Sequence, residues 1–384
     1  MRFLYILFFL IITSQEDLFS QKKNKVIENH IEKVSINALK WRSVGPALTS
    51  GRVSDIAVNK NNPFEYYVAV ASGGVWKTSN WGLEYVPVFD NESSYSIASV
   101  TIDPNNSNTV WVGTGENNNQ RSVAYGDGVY KSTDAGKSWK NVGLKTSEHI
   151  GNIIVDPNNS DIVYVSAYGP LWSSGGERGV YKTVDGGNNW NRILNIDEHT
   201  GFNEIHMDPK DSKVLYATAH QRRRHVYTYV GGGPGSGIYK STDAGNSWKK
   251  INKGLPSVEI GRIGMDISPV DNNVLYAIVE AADRKGGFYK SVDMGETWEH
   301  IGLPNAGLIG KVSIHPKNAD IVYVAVLGNI FGHNKERGVY KTVDGGKSWN
   351  KLLYISDKTG ARDVEINPDN DQELIASFWT VSPE

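Results

Sequence analysis

The sequence predicts an all-β fold, a β-propeller of about seven four-stranded blades, six of them complete and the last incomplete. Two motifs that alternate along the chain carry this prediction, together with their spacing. The first motif reads Ser/Thr-x-Asp-x-Gly-x-x-Trp, and its tryptophans follow one another at intervals of 51, 58, 50 and 51 residues. A period of about 50 residues is the length of one propeller blade.

The first motif, which we call the Asp-box, has a structural logic in each of its residues. The Asp can accept backbone N–H bonds inside a tight turn, and the Gly takes a φ that other residues resist. The Trp buries a large apolar area between neighbouring sheets. We therefore interpret the Asp-box as the turn between strands C and D of a blade, with no direct role in activity. The Asp and Trp of its five full copies are Asp134 and Trp139, Asp185 and Trp190, Asp243 and Trp248, Asp293 and Trp298, and Asp344 and Trp349.

The second motif is an apolar strand, a polar turn that contains Pro, and another apolar strand. One copy runs from Ile102-Asp-Pro to Val110-Trp-Val112. Pro ends the first strand and Asn or Asp bonds the backbone of the turn, so the motif predicts strands A and B. Six complete units then lie between residues 53 and 354, and strands A and B of a seventh lie between residues 363 and 379.

The seventh unit has strands A and B but no Asp-box. Trp41-Arg-Ser-Val-Gly45 resembles Trp139 to Gly143 and is predicted to supply strand D from the start of the chain, which would remove open sheet edges. One strand would still be missing. We expect either a propeller truncated at its C-terminus, as a fragment of a longer protein, or an incompletely closed ring.

The N-terminus predicts export. Arg2 precedes an apolar run from Phe3 to Ile12, which is too short to span a bilayer and is typical of a signal peptide over residues 1–20. Residues 21–40 form a polar leader and residues 41–384 the propeller. We expect a secreted, periplasmic or cell-surface protein with no membrane span.

Composition excludes several function classes. The net charge of -2, from 40 basic and 42 acidic side chains, gives no basic face for nucleic acid. The chain has no cysteine, its nine histidines show no metal-binding spacing, and the Asp-boxes lack the alternating carboxylates of a calcium loop. We expect no cofactor and no metal.

The five Asp-boxes in register resemble the BNR repeat superfamily, which includes sialidases, xyloglucanases and sortilin-type receptors. Three segments, 71–77, 113–122 and 221–225, resemble a narrower group of secreted bacterial proteins with a sortilin N-terminal-like domain, often labelled glycosyl hydrolases. The resemblance covers about Trp41 to Ser382. Members of that group tend to be longer, so absent downstream blades are one expected partner. The resemblance implies that ligands meet the B–C and D–A loops, away from the Asp-boxes.

Those loops carry the binding candidates. They pair aromatic side chains with arginines, which suits recognition of an extracellular peptide or glycan. An alternative stays open, in which Arg222 to Arg224 form a solvated loop against a neighbouring blade. The candidates are Arg121, Tyr125, Trp172, Arg222, Arg223, Arg224 and His225.

Catalysis is the alternative to binding. A xyloglucanase-like glycoside hydrolase needs two carboxylates across a sugar-binding cleft, and Glu116 and Asp127 are the weak candidates. Surface acids more commonly cap turns or pair with arginines. A sialidase is disfavoured because the Phe/Tyr-Arg-Ile-Pro signature is absent. The sequence therefore favours a binding or interaction module, with a polysaccharide hydrolase as the alternative.

Overall fold

A computed structural model describes residues 51–303, 306–329, 332–367 and 370–380. The predicted signal peptide, the polar leader and the strand at Trp41–Gly45 lie outside the described residues. No helix in the described part of the chain is long and apolar enough to cross a membrane.

Six four-stranded antiparallel sheets follow one another along the chain and form the blades of a ring. Strands A to D are neighbours in chain order in every blade, and the B–C loop of blade 4 contains an extra hairpin, β15–β16. A two-stranded sheet follows blade 6, and the loop after β20 contains a short 3₁₀ turn at Ala282–Arg284. The strands are β1 (Val53–Val58), β2 (Tyr66–Val70), β3 (Gly74–Thr78), β4 (Val86–Pro87), β5 (Ile97–Asp103), β6 (Asn106–Thr114), β7 (Val129–Ser132), β8 (Lys140–Gly143), β9 (Ile150–Asp156), β10 (Asn159–Ala167), β11 (Gly179–Thr183), β12 (Asn191–Leu194), β13 (Thr200–Met207), β14 (Leu215–Gln221), β15 (Arg223–Arg224), β16 (Tyr229–Val230), β17 (Gly237–Ser241), β18 (Lys249–Lys250), β19 (Ile260–Ile267), β20 (Leu275–Ala281), β21 (Gly287–Ser291), β22 (Glu299–His300), β23 (Leu308–Ile314), β24 (Val322–Gly328), β25 (Gly338–Thr342), β26 (Asn350–Leu353), β27 (Thr359–Ile366) and β28 (Leu374–Thr380).

Strands A of consecutive blades contact one another and line the centre of the ring. Polar side chains on these strands bind the backbone of the next blade. The carboxylate of Asp55 accepts the N–H of Val100 at 3.0 Å, and that of Glu204 accepts the N–H of Met265 at 3.0 Å. Both carboxylates are half-buried, and each has a donor that offsets its partial desolvation.

The hydrophobic core lies between adjacent sheets. Tyr164 and Val180 of blade 3 pack against Phe202 and Leu215 of blade 4, and all four are buried. Strands β10 and β14 are buried on both faces over most of their length, so each sheet offers an apolar face to each of its two neighbours. Burial of this kind is worth about 25 cal/mol per Å² of apolar surface and dominates the stability of the ring.

The Asp-box forms the predicted C–D turn. In blade 2 the carboxylate of Asp134 accepts the N–H of Ser138 at 2.9 Å and the hydroxyl of Ser132 at 2.8 Å. Gly136 has a φ of 84°, in the left-handed region that favours glycine. These hydrogen bonds lower the pKa of Asp134 to about 2. The interpretation of the motif as a turn is consistent with this geometry.

The Asp-box tryptophans also tie blades together. Trp139 donates its indole N–H to Val88 of the preceding blade at 2.7 Å, and Trp298 donates to Ile251 at 2.9 Å. Trp248 differs, since its indole N–H bonds Gly245 in its own turn. At the majority of the Asp-boxes, the contact between two blades therefore combines apolar burial with a hydrogen bond from the indole.

The lysine that precedes each box has a matching role that the sequence did not reveal. Lys77 and Lys182 donate to the carbonyls of Ala135 and Ala244, inside the Asp-box turn of the next blade, at 3.3 and 2.9 Å. Those carbonyls belong to residues with φ near 60°, whose peptide groups point away from the turn. Each blade thus holds the turn of the next one.

The seventh unit consists of β27 and β28. Ala361 and Val364 of β27 are buried against Tyr323 and Val339 of blade 6, so the hairpin continues the ring. The prediction of six complete blades is confirmed, and the described residues contain two strands of the seventh.

Candidate functional site

Buried polar atoms without a partner concentrate at the end of the ring that carries the B–C and D–A loops. Among the described residues, most of these atoms lie in blades 2 to 4, where loops cover the ring. Unpartnered buried polar groups are costly and often mark functional sites. They belong to Asn117, His149, His199, Thr200, Arg222 and Arg223.

The loop between β6 and β7, residues 115–128, crosses the ring and covers this end; we call it the blade-2 loop. The guanidinium of Arg222 in blade 4 donates to the carbonyl of Asn118 at 2.9 Å and to the side-chain oxygen of Asn119 at 2.7 Å. Arg224 donates twice to the carbonyl of Asn119, at 3.0 and 2.6 Å. Arg262 of blade 5 donates to the carbonyl of Asn117 at 3.2 Å. Three arginines thus hold the backbone of a three-residue segment.

Arg222 is the centre of this arrangement. Its side chain is fully buried, lies 3.3 Å above the ring of Tyr168, and donates to the carbonyl of Gly169 at 3.2 Å. Burial lowers the pKa of Arg222. Because a guanidinium titrates far above neutral pH even so, the site keeps a buried positive charge.

A hydrogen-bond relay lies beneath Arg222. The hydroxyl of Tyr168 donates to Nδ1 of His220, and Nε2 of His220 donates to the carbonyl of Gly231 at 3.1 Å. Burial, and then the charge of Arg222, lower the pKa of His220 to about 3. His220 is therefore neutral, and the arginines carry the charge of the site.

Two further guanidiniums, those of Arg52 and Arg362, lie near Arg262 where strands A of blades 1, 5 and 7 begin. Arg52 pairs with Glu116, and Arg362 donates to the carbonyl of Gly310 at 3.2 Å. Burial, and then the charge of Arg262, lower the pKa of Arg362. The charge of Arg52 lowers it further. Arg262 and Arg362 therefore bring two positive charges close together at this end of the ring.

The structure divides the sequence-predicted binding residues into two sets. Arg121, Tyr125 and Trp172 are exposed, with Tyr125 at 73% and Trp172 at 42%. His225 is half-buried and stacks on Tyr227 with ring centroids 5.5 Å apart.

The basic run forms the second set. Arg222 and Arg224 hold the blade-2 loop, and Arg223 between them is half-buried with Nε and Nη1 unpartnered. The run contacts other blades, but Arg222 within it is fully buried rather than solvated. Ligand contact by these seven residues stays a prediction.

The two carboxylates predicted as catalytic candidates are both engaged. Glu116 is buried and pairs with Arg52. Asp127 accepts the hydroxyl of Tyr130 at 2.6 Å within blade 2. A general acid or nucleophile needs an oxygen that faces substrate, and these contacts occupy oxygens of both side chains. Catalysis by the pair also stays a prediction.

Two parts of the site could not be predicted because no sequence motif marks them. The segment Asn117–Asn119 accepts hydrogen bonds through its backbone carbonyls, which no side-chain pattern reveals. The run of three asparagines was the only unusual feature of its sequence. Tyr168 and His220 stand on two different blades, so no local pattern connects them. The described residues contain no group of three or more His, Asp or Glu side chains that could hold a metal ion.

Comparison with known proteins places this architecture in a family. The profile of the Sortilin-Vps10 family, described as sortilin, neurotensin receptor 3, matches residues 127–232 and 236–376. A xyloglucanase from Paenibacillus sp is 20% identical over 348 residues, which cover 81% of this chain and 32% of that enzyme. The chain thus spans about a third of the length of this curated relative.

Solved structures share the fold. The GH74 enzyme from Niastella koreensis matches with a TM-score of 0.60 and 21% identity, over 86% of this chain and 51% of that one. The structure of YCF48 bound to D1 peptide matches with a TM-score of 0.52 and 15% identity, over 81% of this chain and 89% of that one. At these identities the likeness shows the propeller fold alone.

Proposed function

The chain belongs to the Sortilin-Vps10 family of β-propellers, and from this premise we propose that it is a peptide-binding module whose ligand occupies the end of the ring under the blade-2 loop. This proposal rests on the hydrogen bonds that Arg222, Arg224 and Arg262 donate to the backbone carbonyls of Asn117–Asn119. The site already holds a segment of polypeptide backbone, which belongs to the protein itself.

An incoming peptide competes with that segment for the same donors. A guanidinium binds a carboxylate through two parallel N–H···O bonds, which are stronger than its bonds to a neutral carbonyl. The nearby charges of Arg52 and Arg362 add to the attraction for an anion. The preferred ligand is therefore an extended peptide with acidic side chains or a free C-terminal carboxylate.

The relatives favour a peptide over a glycan in one respect. The match to YCF48, which was solved with a D1 peptide, covers 89% of that chain, whereas the match to the Niastella koreensis enzyme covers 51%. The exposed Tyr125 and Trp172 flank the site as apolar contacts for side chains of the ligand.

A polysaccharide hydrolase is the second candidate, and the similarity to xyloglucanases favours it. It requires Glu116 or Asp127 to leave Arg52 or Tyr130 when a glycan binds. Release of reducing sugar from xyloglucan, abolished by Glu116→Ala or Asp127→Ala in a folded protein, would establish hydrolysis and overturn a purely binding role.

Fluorescence anisotropy tests the binding proposal directly. The probe is a labelled hexapeptide of alternating Asp and Gly with a free C-terminus. We expect Arg224→Gln and Arg262→Gln each to weaken its binding at least fivefold. Lys137→Gln makes the same change of charge in an exposed Asp-box turn at the opposite end of the ring and should leave binding unchanged. Equal binding by all four proteins would refute the proposal.

We also propose that the ring has seven blades and that the protein is exported. Lys290 of blade 5 reaches the carbonyl of Gly345 in the next Asp-box at 3.4 Å, whereas Lys341 of blade 6 has no such acceptor among the described residues. A seventh Asp-box would supply one. The apolar run after Arg2 supports export, which fractionation of cells that express the full chain would test.

A further inference from the structure

Strand β28 (Leu374–Thr380) forms an open sheet edge, because its sheet contains only β27 and β28 among the described residues. The edge is seven residues long and has no charged residue and no proline. The outer strands of blades 1 to 6 are only two to four residues long, and each carries a proline or a charged side chain; they are β4, β8, β12, β18, β22 and β26. Short or charged edges resist pairing with a further strand, whereas a long apolar edge invites it.

The position of β28 is that of strand B, which is an inner strand in every complete blade. In blade 6 the matching strand β24 is buried along its whole length, whereas no residue of β28 is buried and Ile375 is 79% exposed. One face of β28 packs on blade 6 through Leu374, Ala376 and Phe378. In the described part of the chain, the edge and the other face of β28 therefore have no strand C against them.

The complete blades show which strand fits at this edge. In all six, a lysine of strand C stands opposite an aromatic residue of strand B and lies over its ring. Lys182, for example, lies over the ring of Tyr164 at 5.3 Å. Ile375 occupies that aromatic position, because it pairs with β27 in the same register as Tyr323 of blade 6 pairs with β23. A strand C of the same pattern would therefore place its lysine opposite Ile375.

Blade 6 offers two further contacts for an Asp-box beside β28. Lys341 has no carbonyl acceptor among the described residues, whereas the matching lysines of blades 1 and 3 bond the next Asp-box. The indole of a box tryptophan bonds the preceding blade three residues after that blade's own box, as Trp349 does at the carbonyl of Ile301 at 2.9 Å. The matching position of blade 6 is Leu352, and the four side chains from Leu352 to Ile355 are all exposed.

The occupant of this edge has to bring its own Asp-box. The 384 residues contain five full boxes and one altered copy in which Asn80 takes the place of the Asp, and these six form the C–D turns of blades 1 to 6. None of the six is left to turn beside β28.

We propose that the open edge of β28 binds a segment of a second polypeptide, which pairs with β28 as strand C and then turns through an Asp-box. Main-chain hydrogen bonds attach such a strand to the sheet, and its alternate side chains provide specificity. Its lysine stands opposite Ile375, and its box contacts Lys341 and Leu352 of blade 6. This partner completes the seventh blade proposed above, on which the inference rests; it does not involve the site under the blade-2 loop.

A labelled peptide that copies residues 128–139, which are strand C and the Asp-box of blade 2, is the probe for this edge. Fluorescence anisotropy measures its binding to the full chain, and hydrogen exchange locates it. We expect saturable binding and slower exchange of the outward amides of β28 in the complex. The outer edge Glu299–His300 of blade 5 should keep its exchange rates, because it is short and charged.

Two substitutions at Ile375 test the register, and neither removes a buried contact, since this side chain is exposed. Ile375→Tyr restores the aromatic partner of the lysine and should tighten binding about threefold. Ile375→Lys sets like charges opposite each other and should weaken binding about threefold, whereas a peptide with Lys131→Glu should bind this variant more tightly than the original chain. Val292→Lys adds the same charge in an exposed Asp-box turn of blade 5 and should leave binding unchanged.

The same measurements separate the source of strand C from the existence of the seventh blade. Binding that both changes at Ile375 leave unaltered, or that does not slow exchange at β28, overturns the proposed pairing. Slow exchange of the outward amides of β28 in the free chain, without binding of the peptide, would show that the same polypeptide already fills the edge. That result overturns the second polypeptide and leaves the seventh blade standing, whereas fast exchange without binding overturns both.

Discussion

Arg222→Met removes the central clamp on the blade-2 loop. The guanidinium makes two bonds to this loop, at 2.9 and 2.7 Å, and methionine preserves much of the stem that lies on Tyr168. A hydrogen bond from a charged donor contributes about 1.5 to 3 kcal/mol, and burial of the charge offsets part of that. We expect about 3 kcal/mol of loop stability to be lost, which raises the open population roughly a hundredfold.

Hydrogen exchange measures this change. The amides of Glu116 and Val123 donate to the carbonyls of Ala124 and Gln120 in the loop, at 3.0 and 3.3 Å, and the amide of Glu116 also donates to the hydroxyl of Ser96 at 2.9 Å. Their exchange should accelerate roughly a hundredfold in Arg222→Met, while peptides that contain Asp-boxes keep their protection.

Arg337→Met is the matched control for this experiment. Arg337 is also fully buried, and it holds the carbonyls of Asn329 and Gly332 in the B–C loop of blade 6. Its replacement should loosen that loop and leave the blade-2 loop unchanged. Unaltered exchange at Glu116 and Val123 in Arg222→Met would refute the reasoning, because the loop would then be held by contacts other than this clamp.

Three further predictions concern the scaffold. Burial raises the pKa of Asp55 to about 6, so the folded protein binds this proton more tightly than the unfolded chain does. The free energy of unfolding should therefore fall by about 2 kcal/mol as pH rises from 4 to 6. Asp55→Asn should flatten this part of a pH series of urea midpoints, and an unchanged slope would contradict the assignment. Hydrogen bonds lower the pKa of Asp243 to about 2, so its stabilising effect is present above pH 4 and is lost as pH falls toward 2. Asp243→Asn should therefore move the midpoint of acid unfolding, followed by tryptophan fluorescence, to higher pH. An unshifted midpoint would argue against a stabilising role of the carboxylate. Trp298→Phe should lower the free energy of unfolding in urea by about 1 kcal/mol more than Trp248→Phe does. Of these two tryptophans, only Trp298 donates its indole N–H to the preceding blade, to Ile251 at 2.9 Å. Equal losses would show that this hydrogen bond does not stabilise the contact between blades.

The repeat explains why the scaffold could be predicted and the site could not. The Asp-box predicts the turn between strands C and D, and strand C of blade 2 lies at Val129–Ser132, directly before the turn that contains Asp134. The basic run at Arg222 to Arg224 is unusual in the sequence, but its contacts with the blade-2 loop lie more than 100 residues away in the chain. The repeat period predicts contacts within a blade and with the next blade. The blade-2 loop instead contacts arginines of blades 4 and 5, which are two and three blades away.

The sequence by itself determined the propeller, its six complete blades and the turn role of Asp134 and its copies, because these depend on local hydrogen bonds and on apolar alternation that repeat every 50 residues or so. Only the tertiary structure decided that Arg222 is buried under the backbone of Asn118 and that Nε and Nη1 of Arg223 lack a partner. Both depend on which blades the ring brings face to face. Closure of a ring joins residues that are distant in the chain, and no local pattern encodes which of their polar groups remain unpaired.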